Sequence, residues 1–132
     1  MKKLDKESVI GVSALLVHAA KIDEIYSDHE KDLVKDFIRS YLLDNDTNEI
    51  LKKAEELEMN SNQLLNYTNI IKNNSLEIKK DIIEHLWRVI ISDKTIDQYE
   101  SNLMRRICGL IYFPDKECAE IKLKLINKKW LI

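Results

Sequence analysis

Asp23-Glu24-Ile25-Tyr26-Ser27-Asp28-His29-Glu30 and Asp93-Lys94-Thr95-Ile96-Asp97-Gln98-Tyr99-Glu100 align without a gap, 70 positions apart. Each copy reads Asp, three residues, an oxygen-bearing helix-capping type, two residues, Glu. Each is followed by paired apolar residues, Leu33-Val34 and Leu103-Met104. Ser27 with Glu30 has the form of a capping box, in which each side chain satisfies an orphan backbone N–H at the helix start. Asp97 with Glu100 repeats it. A sequence that does this twice is expected to build the same helix-loop-helix unit twice.

The register extends outward from the two loops. Before the first lies Val9 to Ala20, apolar nearly all round, as suits a central buried helix; that helix is expected from about Asp5 to Ile22. Before the second lies a helix carrying Ile78, Ile82, Ile83, Leu86, Trp87, Ile90 and Ile91. In the 70-residue register Ile82 falls on Val12, Leu86 on Leu16, and Val89-Ile90 on Ala19-Ala20. The two are read as partners at the centre of the fold.

Between the halves, Asp46 with Glu49 opens a helix carrying Ile50, Leu51, Ala54 and Leu57. Asn60 with Gln63 opens one carrying Leu64, Tyr67, Ile70 and Ile71, and Asn74 with Glu77 opens the second central helix. After Glu100, Leu103, Met104, Ile107 and Leu110 form an inner face. Gly109 to Pro114 ends that helix, and Pro114 suits the first turn of the last one, which carries Ile121, Leu125 and Ile126. The expectation is an all-α domain over 1–132 with about seven helices. Two pseudo-symmetric halves (about 5–43 and 75–112) surround two central helices, with a connector at 44–74 and a C-terminal helix at 114–130.

Composition agrees. The 132 residues suit one domain and are enough for a hydrophobic core without disulfides or a structural metal. Two Gly and one Pro leave few hairpin residues. A net charge of −2 provides no basic field for nucleic acid. No apolar run spans a bilayer and no signal peptide is read, so the chain is expected in the cytoplasm. Cys108 and Cys118 form no CxxC motif and are expected reduced, as small buried apolar groups.

These residues resemble the TerB family, the tellurite-resistance TerB proteins and their TerB-like relatives. The likeness rests on Ala19-Ala20-Lys21-Ile22-Asp23 with Ser27-Asp28-His29-Glu30, and on Leu86-Trp87-Arg88-Val89 leading to Asp93, Ile96-Asp97 and Glu100. It implies an acidic, divalent-cation-associated surface and a part in bacterial responses to tellurite and other stresses. It also implies protein partners of the same resistance system, some at the membrane. The family pattern has Gly after each Asp; this chain has Glu24 and Lys94, which bears on loop geometry more than on fold.

Two readings of the carboxylates stand. As hard oxygen ligands, Asp23, Ser27 and Glu30 in one loop and Asp93, Asp97 and Glu100 in the other suit Ca²⁺, Mg²⁺ or Mn²⁺. The second set is the stronger, because Asp97 brings a charge where Ser27 brings a hydroxyl. As caps and first-turn acids, the same residues stabilise helices with no ligand, and the chain is then a structural or scaffolding domain. His18, His29 and His85 are scattered, with His29 expected to be exposed. Without an HExxH motif, a Gly-rich phosphate loop or a placed triad, no enzyme is read and no cofactor beyond such a cation. Lys122 to Ile132 could touch a membrane or a partner groove, but is expected to be an amphipathic helix with Trp130 docked on the core. Oligomeric state is left open.

Overall fold

The computed structural model describes residues 4–21, 26–43, 46–60, 65–91 and 98–130, with side chains at 4–21, 26–43, 46–60, 67–91 and 101–127. These residues form seven α-helices and no strand: α1 (Lys6–Ala20), α2 (Asp28–Tyr41), α3 (Thr47–Asn60), α4 (Leu65–Lys72), α5 (Leu76–Ile91), α6 (Gln98–Leu110) and α7 (Asp115–Trp130). The all-α expectation is met.

Local chemistry sets most of the described starts. Asp5 caps α1, its Oδ1 accepting the Ser8 N–H at 2.7 Å. Asp46 Oδ1 accepts from the N–H groups of Asn48 (3.0 Å) and Glu49 (3.3 Å) at the start of α3. Pro114 precedes α7, and its carbonyl accepts the first helical bond from Cys118 N–H at 3.1 Å.

Two expected starts are displaced. Asn60 is the last residue of α3 rather than the cap of the next helix. Asn74 does not open α5. Its side-chain amide donates to the Ile70 carbonyl at 2.8 Å and so helps close α4. Ser75 takes the capping role, with Oγ accepting the Ile78 N–H at 3.3 Å.

At the end of α6, Phe113 N–H reaches the Cys108 carbonyl (2.8 Å) and Tyr112 N–H reaches that of Gly109 (3.4 Å). This is the Schellman pattern, which needs a left-handed residue after the helix. Tyr112 supplies it at φ 59°, where glycine is commoner. Its ring lies 5.1 Å beneath Lys72 Nζ of α4.

The core forms around α1 and α5. α1 packs on α2, α3, α4 and α5; α5 packs on α1, α2 and α7. Val12 and Ile82, Leu16 and Leu86, and Ala19-Ala20 and Val89-Ile90 are all buried. α3 covers α1 more extensively than any other helix does, so residues 47–60, expected to be part of a connector, form a wall of the core. Gly11 lets α4 approach α1: a Cβ there would collide with Ile70 Cδ1. Several expected core positions lie further out: Leu57 is exposed, and Ile70, Leu110, Leu125 and Ile126 are half-buried. Among the described residues, no helix is long and apolar enough to cross a membrane.

Candidate functional site

The first acidic loop is described from Tyr26 onward; Asp23 and Glu24 lie outside the described residues. Ser27 and Glu30 do come together. Ser27 N–H donates to Glu30 Oε1 at 2.9 Å, Ser27 Oγ donates to the same oxygen at 3.0 Å, and Glu30 N–H donates to Ser27 Oγ at 3.2 Å. The capping box is complete in both directions. Glu30 is buried, at 1% exposure. A buried carboxylate needs such donors, because desolvation without them is costly. Ser27 Oγ and Glu30 Oε1 are therefore committed to ending the backbone, and this pair fits a cap better than a cation site.

Charge gathers behind that loop from an unexpected direction. Glu58, at the far end of α3, accepts from Lys21 Nζ at 2.8 Å and lies 3.3 Å from His18 Nδ1. The Tyr26 ring lies under two ammonium groups, Lys31 Nζ at 5.0 Å and Lys21 Nζ at 5.8 Å. Its hydroxyl is buried without a hydrogen bond of full geometry. Burial, and then the neighbouring Glu55 carboxylate, push its proton affinity well above the phenol range. Sequence reasoning missed Glu55 and Glu58. The partners of Glu58 lie 37 and 40 positions away, and Tyr26, beside Glu55, is also far from it in the chain.

Asp93, Lys94 and Asp97 lie outside the described residues, and Glu100 falls in the first turn of α6 with its side chain outside them. Among the described residues, no group of three or more His, Cys, Asp or Glu side chains could hold a metal ion. His29 is exposed, as expected.

A second polar cluster joins α2 to α5. Tyr41 O–H donates to Asp81 Oδ2 at 2.7 Å, and His85 Nε2 is 3.8 Å from the same oxygen. The His85 ring meets Phe37 edge-on, with centroids 5.2 Å apart. Burial lowers the His85 pKa, and Asp81 only partly offsets it. Burial and then Asp81 raise that of Tyr41 beyond the usual phenol range. The cluster sits at a helix interface and reads as a polar lock between α2 and α5. Cys108 and Cys118 are free and buried, as expected, but Cys118 also lines an open pocket between α5, α6 and α7.

The structure thus defines an all-α domain in which Asp5, Glu30, Asp46, Glu58 and Asp81 bind its own backbone and side chains. The chain belongs to the TerB family: the family model described as tellurite resistance protein TerB matches residues 9–123. No curated protein and no solved structure matches the chain.

Proposed function

We propose that this chain is a non-enzymatic TerB module of a bacterial tellurite- or stress-resistance system, presenting a duplicated acidic surface to a divalent cation, a protein partner or both. The family match across residues 9–123 carries the proposal, and the repeat of Asp23, Ser27 and Glu30 in Asp93, Asp97 and Glu100 supports it. Because Ser27 and Glu30 are engaged in a cap, the cation limb rests chiefly on Asp93, Asp97 and Glu100.

Ligand that binds only the folded state raises its stability by RT ln(1 + [L]/Kd), about 2.7 kcal/mol at a hundredfold excess over Kd. Thermal unfolding in Ca²⁺, Mg²⁺ and Mn²⁺ is expected to show a rise in Tm with at least one ion. Asp93→Asn with Asp97→Asn is expected to remove that rise. No rise with any ion, or a rise indifferent to the double variant, would end the cation limb.

The Ser27–Glu30 geometry favours a second reading, in which the carboxylates only cap helices. Under either reading Ser27→Ala is expected to cost about 1 kcal/mol of stability in urea titration, the usual loss for a cap. The readings part at the second loop. Caps alone predict that Asp97→Ala costs stability while no ion changes Tm.

A further inference from the structure

Helices α5, α6 and α7 border an open pocket of about 630 Å³ whose lining includes Trp87, Ser101, Arg105, Asp115, Cys118 and Lys122. Trp87 Nε1–H donates to Cys118 Sγ at 3.3 Å across the α5–α7 interface. Cys108, fully buried on α6, brings a second thiol beside that sulfur. One sulfur therefore meets an indole N–H and a second thiol from two other helices. A neutral thiol is a poor acceptor; a thiolate is a good one. Lys122 adds positive charge from the next turn of α7, its Nζ 5.2 Å over the Trp87 ring.

We propose that Cys118 is a hydroperoxide-reactive site and that Cys108 resolves its oxidised form into a disulfide joining α6 to α7. The two sulfurs are divided for these roles. The Cys108 contact above all, helped by Trp87 and Lys122, lowers the Cys118 pKa to about 7 against burial and the Asp115 carboxylate. Cys108, as donor and buried, is pushed far up and keeps its proton. Arg105 also lines the pocket.

In the first step the Cys118 thiolate attacks the outer oxygen of a hydroperoxide. An S–O bond forms, the O–O bond breaks, and the departing alkoxide or hydroxide takes a proton from water. Cys118 is now a sulfenic acid. In the second step Cys108 loses its proton and its sulfur attacks Cys118. The S–S bond forms, the S–O bond breaks, and hydroxide leaves with a proton as water. Two electrons pass from the thiol pair to the peroxide. A low-pKa thiolate beside a resolving thiol is the arrangement that makes oxidation selective and reversible. The two thiols sit on helices that pack on each other, which suits the short reach a disulfide requires.

Intact-mass measurement on the full chain tests this. After hydrogen peroxide, denaturation and N-ethylmaleimide, the wild type is expected to take up no maleimide and to recover two after reduction. Cys108→Ser is expected to trap a dimedone adduct on Cys118. Iodoacetamide alkylation of native Cys118 is expected to rise with pH around 7, below the unperturbed value of about 8.5. Trp87→Phe, which keeps an aromatic ring and deletes the N–H, is expected to move that midpoint upward. Two maleimides on peroxide-treated wild type, no dimedone adduct on Cys108→Ser, or an alkylation midpoint at the unperturbed value unmoved by Trp87→Phe would overturn the proposal.

Discussion

Phe37→Ala is expected to lower the free energy of unfolding by about 3–5 kcal/mol, the range for emptying a buried aromatic site. Phe37 is fully buried on α2. Its ring lies 5.1 Å from that of Tyr41 and 5.2 Å from that of His85. Truncation removes apolar burial and also leaves a void beside polar groups that need a dry, ordered wall. Tyr41 would keep its bond to Asp81 only by holding its position without the ring that braces it. His85 is depressed by burial, so water entering the void would ease its protonation. A domain of this size has roughly 5–15 kcal/mol in total, so the loss is a large share. Urea titration should show a lower midpoint at unchanged slope. Phe37→Leu keeps most of the volume and is expected to cost less than about 1.5 kcal/mol, which leaves a measurable variant if the alanine chain does not fold. A loss below about 1 kcal/mol for Phe37→Ala would show that α2 does not seal the core here.

How much could be read before the structure depended on how local the cause was. The start of α2 was legible because Ser27 and Glu30 are three residues apart and the cap needs nothing else. The start of α5 slipped by one residue because Asn74 and Ser75 both carry a capping oxygen; which one serves is settled by the Ile70 carbonyl that Asn74 reaches backward. Asn60 was misplaced for a related reason, since an oxygen-bearing residue can end a helix as well as begin one. The apolar spacing of α1 and α5 gave the core face directly. Leu57 kept the spacing and is nonetheless exposed, because periodicity reports a helix face without saying where the neighbouring helix stops. The polar sites were the least legible. Glu58 meets Lys21 and His18, and Trp87 meets Cys118, only through tertiary packing. Two cysteines ten positions apart carry no local sign that an indole N–H will point at one of them.

Leu16→Ala and Leu86→Ala are expected to cost about 2–5 kcal/mol each, with values close to one another. Both side chains are fully buried, on α1 and α5 respectively, at positions the repeat places in register. The cost of a Leu→Ala change depends on how far the surroundings can collapse into the gap. α1 is hemmed in by α2, α3, α4 and α5, whereas α5 packs on α1, α2 and α7. Leu16 should therefore lie toward the upper end and Leu86 somewhat below it. Leu57→Ala is the control: an exposed leucine should change stability by no more than about 0.5 kcal/mol. If Leu86→Ala is costly and Leu16→Ala is nearly neutral, the matched register is a coincidence of apolar composition and the duplication has no energetic meaning. If both are costly, the two acidic loops follow helices anchored by equivalent core contacts. Strain at either core position would then reach the loop that follows it. Repeating the Ca²⁺, Mg²⁺ and Mn²⁺ series on Leu86→Ala would show whether the loop at Asp93 depends on that anchor.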